Sequence, residues 1–495
     1  MTNVKFKIPK EVENVSRVLS AAKFENYLVG GCVRDLILGT TPKDWDITTK
    51  ANPEEIVALF EHTFYENAFG TVGIVHETPS TEAVRVVEVT PYRTESAYTD
   101  FRRPDEVKWA KTLAEDLKRR DFTVNALALK LNNESGIMNQ ELMDLFDGVG
   151  DIKKKLIRTV GLPLERFSED ALRMFRALRL ASELSFAIES DTLLAIEKHK
   201  DLLAHISKER IRDEFTKIIM SPAPSIALGL ATQLGLLKFI SPELEKGIGM
   251  EQNKAHAFTV WEHLLRTLDH SAKKEFPIHV RLTALFHDIA KPHTRRWLND
   301  QWTFYGHDVV GARIARNILT DLRFSKEIIE KVIKLVRWHM FFSETETITL
   351  SAVRRIVRNV GPELIWDLMD VRACDRVGTG RPKETTYRLR KYHSMIEEVM
   401  RDPISVKQLN INGADIMKLT EAPAGPHVGY ILEILLAEVL EDPTKNDRKH
   451  LEARVLALMT LPPKDLEKEG KEARAKNEGE DEKKVEEIKE KYRVE

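Results

Sequence analysis

Between Tyr27 and Ile47 the chain reads YLVGGCVRDLILGTTPKDWDI, and this stretch constrains the fold more than any other. Tyr27-Leu28-Val29 is a short apolar run suited to a strand. Gly30-Gly31 follow, and two adjacent glycines let backbone N–H groups approach an anion with no Cβ in the way. Val33 to Leu38 reads as a helix that stops at Gly39, and a helix N-terminus beside a glycine turn suits a phosphate. Asp44-Trp45-Asp46-Ile47 then starts a second strand, on which residues i and i+2 share a face. Asp44 and Asp46 would present two carboxylates side by side, a repulsive arrangement that cations relieve. Hard, oxygen-loving Mg²⁺ bridges such carboxylates to substrate phosphates. Gly-Gly alone is usually a turn, and Asp-x-Asp alone a solvated loop; the information lies in the order strand, Gly-Gly, helix, strand, Asp-x-Asp.

A chain of 495 residues is long for one domain and suggests about three. The formal net charge of −2 supplies no global basic field, so any RNA-binding surface is a local patch. Cys32 and Cys374 are the only cysteines and lack metal-like spacing, which fits a reducing compartment and a fold without disulfides. The opening MTNVKFKIPKEVENV has no signal-peptide core, and no apolar run approaches ~18 residues. The expectation is a soluble, cytoplasmic protein with no membrane partner.

Gly70 to Val75 and Ala83 to Val89 read as strands apolar on both faces, hence central in a sheet. Glu88 interrupts the second, and a carboxylate there needs a partner, a metal or an edge open to solvent. Residues 92–115 are polar, contain Pro104 and read as a mobile loop. In the RRDFTVNAL phrase that follows, Arg119 and Arg120 could stand at a solvated helix terminus. Further on comes SEDALRMFRALR, with Ser168 placed to cap a helix. Asp170 and Arg173, three apart, would be neighbours on one face, and Arg176 and Arg179 continue that spacing. The pair could be an ordinary ion pair. Alternatively, an Asp acceptor beside an Arg donor matches the amine and ring nitrogen of cytosine and adenine, and leaves charges unpaired against guanine and uracil.

GGCVRD followed by DWD resembles the nucleotidyltransferase core of the polymerase-β superfamily, in particular the bacterial tRNA CCA-adding enzyme and poly(A) polymerase family; RRDFTVNAL and EDxxR match it too. The resemblance implies a role for each position. Asp44 and Asp46 would hold two Mg²⁺ ions, with Glu88 as a third metal-site carboxylate. Gly31 and Arg34 would seat the triphosphate, and Arg120 would contact the nucleotide. Asp170 and Arg173 would read the base, with Arg176 and Arg179 on triphosphate or primer phosphates. Arg102-Arg103-Pro104-Asp105 resembles a loop associated with A addition, and Ser207 to Glu214 a motif that braces the base-reading helix.

From about residue 240 the pattern is helical and histidines accumulate. The ordered set His263, His287-Asp288, His307, His339, Asp375 resembles the HD-type phosphohydrolase domain, FHDIAKP and VRWHM being close local matches. The resemblance, not spacing, selects His263 over His256 or His270. It implies a two-metal site for a transition metal acting on phosphate esters. Asn412 to Ile416 and Pro426 to Gly429 resemble the C-terminal body and tail of the same enzymes, which would grip tRNA.

The expected fold class is α+β: a polymerase-β-like nucleotidyltransferase head with a small mixed sheet (1–150), then an all-helical neck (151–240), an HD-type domain (241–380), a C-terminal tRNA-binding region (381–461) and a charged, solvated or disordered tail (462–495). The expected function is template-independent addition of CMP and AMP, from CTP and ATP, to the 3′ end of tRNA. An A-adding-only enzyme keeps every motif present. A poly(A) polymerase shares the head motifs, although its basic phrase after the metal strand is replaced here by Phe69-Gly70-Thr71-Val72-Gly73. A metal-dependent phosphohydrolase acting through the histidine cluster is the alternative of another class.

Overall fold

The structure, a computed structural model, describes residues 6–66, 70–76, 84–95, 107–134, 137–252, 257–298, 300–340 and 348–478. Arg102, Arg103, Pro104, Asp105, His256, Phe69 and residues 479–495 lie outside the described residues. The chain is α+β and divides into two compact units, Met1–Ile240 and Ser241–Glu495.

The first unit is built on a seven-stranded mixed sheet. Along the sheet the strands run Thr63–Glu66, Thr71–Val75, Val86–Pro91, Asp46–Thr49, Asn26–Val29, Leu127–Glu134 and Ile137–Asp144. Neighbours are antiparallel except Asp46–Thr49 and Val86–Pro91, which run parallel with Asp46 in register with Glu88. These two strands lie at the middle, flanked on both sides, so Val87, Val89 and Ile47 are buried while Glu88 turns to the other face. Glu88 is therefore on a central strand and exposed, not on an edge.

Gly30 has φ +78, a left-handed conformation open to glycine, and turns the buried strand Asn26–Val29 directly into the helix Gly31–Leu38. That helix ends at Gly39, φ +74, whose N–H returns to the Asp35 and Leu36 carbonyls. Asp44 corrects the sequence reading. The strand begins at Asp46, and Asp44 stands exposed in the bend before it, so the same-face rule for strands does not reach it.

The helical part of the first unit also departs from expectation. Helix Pro163–Glu169 stops at Asp170, which is extended at φ −140 and ψ 104, and a second helix runs Arg173–Leu184. Asp170 and Arg173 are thus not stacked on one continuous helix. Ser168 does not cap; its Oγ donates to the Leu164 carbonyl, 2.9 Å away.

In the second unit, helices Val260–Lys273, Ile278–Phe286, His307–Asp321, Lys326–Trp338 and Ile365–Gly378 surround the histidine cluster, and a hairpin pairs Arg296–Leu298 with Gln301–Thr303. A further apolar core gathers Val353, Leu368, Tyr392, Ile396, Leu435 and Val455 from the C-terminal helices. The charged stretch after Pro462 is not a free tail in its described part. Pro463–Glu478 is a helix with Leu466 and Asn477 buried, and Asn477 Nδ2 donates to the Glu433 carbonyl at 2.9 Å. Gly470 permits the approach: a Cβ there would lie 2.4 Å from the Tyr430 Cβ. Leu466, Gly470, Ala473 and Asn477 recur at helical spacing, a narrow seam inside a sequence otherwise made of charge.

Candidate functional site

The first unit holds a cavity of about 590 Å³. Gly30 and Gly31 form one part of its wall, Asp46 and Glu88 another, and Arg120, Asp170, Arg173 and Arg176 a third. These eight positions come from five separate stretches of chain, and the sheet register and the Gly30 turn bring them together. Burial raises the Asp46 pKa, Arg120 pulls it down and nearby Asp44 pushes it up again. Asp44 thus acts on Asp46 through space although it does not line the cavity.

Arg34 stands beside Gly31 and is held by Asp35, 2.8 Å away, and by Asn125 Oδ1 at 2.8 Å. It does not line the cavity, whereas Asn125 does. Arg179 is turned away from it. Its guanidinium meets Glu214 at 2.7 Å and Glu183 at 3.0 Å, so the continuing spacing reflects an internal brace, not a phosphate contact. Arg176 lines the cavity while paired to Asp121 at 2.8 Å.

Asp170 and Arg173 both face the cavity but are held by different partners. Asp170 accepts from the Leu172 N–H at 3.1 Å and from Arg210 Nη2 at 2.7 Å. Arg173 Nη1 meets Glu169 at 2.5 Å, and its Nη2 donates to the Arg119 carbonyl at 3.2 Å. Arg210 and Glu214 both belong to helix Lys208–Met220, which therefore bears on Asp170 and on Arg179.

Sequence reasoning missed Asp116. Its carboxylate is fully buried; Oδ1 takes Arg119 at 2.6 Å and Oδ2 takes Arg120 at 3.2 Å. Thr48 Oγ1 donates to Oδ2 at 3.5 Å, and the Arg93 N–H to Oδ1 at 3.4 Å. Burial alone would raise the Asp116 pKa, but Arg120 and Arg119 hold it below the usual carboxylate range. The signal was present: an aspartate three and four residues before two arginines on one helical turn.

The second unit contains a tighter constellation. Among the described residues, His263, His287 and Asp288, and again Asp288, His307 and His339, each bring one ligand atom within 4.8 Å of the others. Asp44, Asp46 and Glu88 do not form such a group. His263 Nε2 is 3.0 Å from His287 Nε2, 3.2 Å from Asp288 and 3.3 Å from Asp375. His307 Nε2 is 3.1 Å from Asp288 and 3.3 Å from His339 Nε2. All six predicted positions meet. His270 does not join them; it sits against Glu384.

The imidazole tautomers follow from the backbone. His287, His307 and His339 place Nδ1 at 3.0, 2.6 and 2.7 Å from the carbonyls of Ala284, Phe304 and Val336. A carbonyl only accepts, so each Nδ1 carries a proton, and in the neutral form of each ring the Nε2 lone pair points inward. Lone pairs facing each other cannot hydrogen-bond, but they can share a cation. Burial lowers the His287 pKa, yet Asp288 and Asp375 carry it up to about 9, so a metal binding at this Nε2 at neutral pH would displace a proton. Imidazole with carboxylate fits a divalent transition metal.

Comparison with known proteins places both sites in context. Residues 26–158 match the Poly A polymerase head domain, 185–248 the "Probable RNA and SrmB- binding site of polymerase A", and 254–379 the HD domain. The CCA-adding enzyme of Enterococcus faecalis is 34% identical over 447 residues, covering 89% of this chain and 94% of that protein. The chain belongs to the CCA-adding enzyme family. The crystal structure of the Bacillus stearothermophilus CCA-adding enzyme in complex with CTP superposes with a TM-score of 0.69 at 28% identity, over 92% of this chain and 98% of that one. A Thermotoga maritima CCA-adding enzyme complexed with tRNA shares the fold, with a TM-score of 0.53 at 18% identity over 93% and 100% of the two chains. As in any CCA-adding enzyme, the chemistry is nucleotidyl transfer; the head match spans Gly30 to Arg120, and the HD match spans the whole histidine cluster. Among the described residues, no helix is long and apolar enough to cross a membrane.

Proposed function

We propose that the first unit adds CMP and AMP, drawn from CTP and ATP, to the 3′ end of tRNA without a nucleic-acid template. The observation that carries this is the cavity in which a helix N-terminus, two in-register carboxylates and an Asp-and-Arg wall face one another. Asp46 and Glu88 face the cavity with oxygen donors alone, and Asp44 stands in the bend just before Asp46, a set that suits Mg²⁺; when bound it would supply a lowered pKa at the primer hydroxyl and positive charge for the departing pyrophosphate. Gly31 and the start of its helix offer backbone N–H groups to the triphosphate. Arg120, held by Asp116, and Arg176 place fixed positive charge on the same wall. Arg34 donates to Asn125, which lines the same cavity.

Asp170 reads the base together with Arg173. Each Asp170 oxygen already accepts one hydrogen bond and keeps a second acceptor position for an exocyclic amine. Cytosine and adenine place that amine beside a ring-nitrogen acceptor for Arg173, whereas guanine and uracil held the same way would turn a carbonyl oxygen to the carboxylate and a ring N–H to the guanidinium. This division of labour assigns residues 1–150 to a nucleotidyltransferase head, 151–240 to the base-reading neck and 381–461 to a grip on tRNA. Two free, buried cysteines agree with work in the cytoplasm.

The convergent Nε2 atoms support a second reading for residues 241–380: a metal-dependent phosphohydrolase site on His263, His287, Asp288, His307, His339 and Asp375. Paired substitutions separate the two. Asp46→Asn is expected to lower CMP and AMP incorporation into tRNA by about 10²-fold or more, while Asp288→Asn leaves it intact. Equal incorporation by wild type and Asp46→Asn overturns the first reading.

A further inference from the structure

Beside its two in-register carboxylates, the cavity of the first unit is lined by a row of hydroxyls. Asp46 pairs with Glu88 and, two residues along the same parallel strands, Thr48 pairs with Thr90. On the next strand Val72 pairs with Val89, which sets Thr71 opposite Thr90, their Oγ1 atoms 3.0 Å apart. Residues i and i+2 of a strand share a face, so Thr48, Thr90 and Thr71 form a row across three strands, about 7 Å along from the row of Asp46 and Glu88. All three threonines line the cavity.

Threonine suits strands, and a cross-strand pair of threonines is an ordinary sheet contact. That explains why the pair is stable, not why it lies against carboxylates in a cavity. Thr48 turns its hydroxyl to Asp116. Thr71 and Thr90, both half-buried, bond to each other. Two hydroxyls offer two donors and four acceptor positions, so after that one bond the pair keeps one donor and three acceptors. An uncharged pair that can both give and take a hydrogen bond suits another hydroxyl, whereas a phosphate is better served by the arginines and the helix N-terminus of the same cavity.

The sheet order indicates whose hydroxyl this is. Strand Asn26–Val29 ends at Gly30, beside the triphosphate seat, and the strands of Asp46, Glu88 and Thr71 follow it in that order. At about 4.8 Å per strand, Thr90 stands about 10 Å and Thr71 about 14 Å across the sheet from it, on the far side of Asp46. In-line displacement sets the attacking and leaving oxygens on opposite sides of the phosphorus. With pyrophosphate leaving on the Gly30 side, the attacking 3′-hydroxyl enters from the Glu88 side, and its vicinal 2′-hydroxyl comes next to the threonine row. We propose that Thr71 and Thr90 bind the 2′-hydroxyl of the primer's terminal ribose, so that the site checks its primer as RNA while it holds the neighbouring 3′-hydroxyl for attack. The proposal rests on the reading of the first unit as an enzyme that extends tRNA.

The test uses the full chain with Mg²⁺, ATP and two CC-ending tRNAs that differ only in the last sugar, ribose or 2′-deoxyribose. Wild type is expected to show a kcat/KM at least about tenfold higher on the ribose-ended tRNA. The double variant Thr71→Val with Thr90→Val keeps the side-chain shape and loses both hydroxyls; its rate on the ribose-ended tRNA should fall toward that on the deoxy-ended one. Thr71→Ser with Thr90→Ser should keep the preference. The readout is a ratio within one protein, so partial unfolding of a variant cancels. The same proteins are assayed with ATP against 2′-deoxy-ATP on the ribose-ended tRNA, where the valine variant should keep the wild-type preference. Wild type indifferent to the last sugar, or a preference that survives in the valine variant, would overturn the proposal. Loss of the ATP preference in place of the primer preference would overturn it too, by assigning these hydroxyls to the incoming nucleotide. No incorporation by wild type on either tRNA would instead remove the underlying reading of the first unit, and the proposal with it.

Discussion

One carboxylate oxygen of Asp116 holds Arg119 and the other holds Arg120, and Thr48, two residues along the strand from Asp46, donates to the same group. This fully buried aspartate fixes Arg120 against the glycine turn, where a Cβ on Gly30 would lie 3.0 Å from the Arg120 guanidinium. Asp116→Asn is expected to raise KM for CTP and for ATP together, by about five- to thirtyfold, as one partner of a charged hydrogen-bond pair is lost. Steady-state kinetics with each nucleotide checks this, and a change confined to one nucleotide would contradict it. The depressed Asp116 pKa also sets a pH dependence. Its contribution to stability is present above the unfolded carboxylate value, near ~3.9, and is lost as pH falls through the lower folded value. Urea unfolding should therefore show wild type losing more stability than Asp116→Asn on going from pH 6 toward pH 3. At this scale the sequence was informative where a residue type has few uses. Asp46, Glu88 and the six positions of the histidine cluster were picked out by phrases that resemble known families, and the structure sets Asp46 in register with Glu88 and brings the six together. The spacing of Asp116 to Arg119 and Arg120 was readable, but its place beside Thr48 on a strand far away in sequence was not. Arg179 was misread because helical spacing cannot say that Glu214 on a later helix takes its charge.

Among the elements, the turn at Gly30 does most to place the site. An L-residue at φ +78 is strained by about 1–2 kcal/mol, and the added Cβ would press on Arg120 and approach Asp46 Oδ2 at 3.7 Å. Gly30→Ala is expected to lower incorporation by at least about tenfold while the protein stays folded, with a melting shift of only a few degrees. A variant of wild-type activity would show that the glycine serves chain reversal alone. The docked helix Pro463–Glu478 gives a second case. Alanine normally improves a helix interior by about 0.5–1 kcal/mol over glycine. At Gly470 the new Cβ would meet the Tyr430 Cβ at 2.4 Å, which cannot swing aside as a side-chain tip could. Overpacking of about 1–3 kcal/mol wins, so Gly470→Ala should be destabilising in chemical unfolding. The strand and helix alternation of the first unit was legible from its apolar runs. Two boundaries were not: the onset of the strand at Asp46, past the bend that holds Asp44, and the break at Asp170, where period-3 spacing runs on through two helices. In the C-terminal helix the charge hid a seam of only four positions.

Over the whole molecule, two units carry two constellations of different chemistry: oxygen donors and cations in the first, imidazoles and carboxylates in the second. A ligand that binds only folded protein stabilises it by mass action. Mn²⁺ added to chelator-treated protein should raise the unfolding temperature through the histidine cluster, and His307→Ala with Asp288→Asn should abolish that rise. The central claim is that the first unit builds a CCA end stepwise. It is tested most directly by incubating the protein and Mg²⁺ with three tRNA transcripts, ending before CCA, after C and after CC. CTP and ATP are supplied singly and together, and products are resolved to one nucleotide. The account predicts C addition on the first two transcripts, A addition only after CC, and arrest at CCA. Addition of A to the CC-ending transcript alone, or a run of A without arrest, would contradict it.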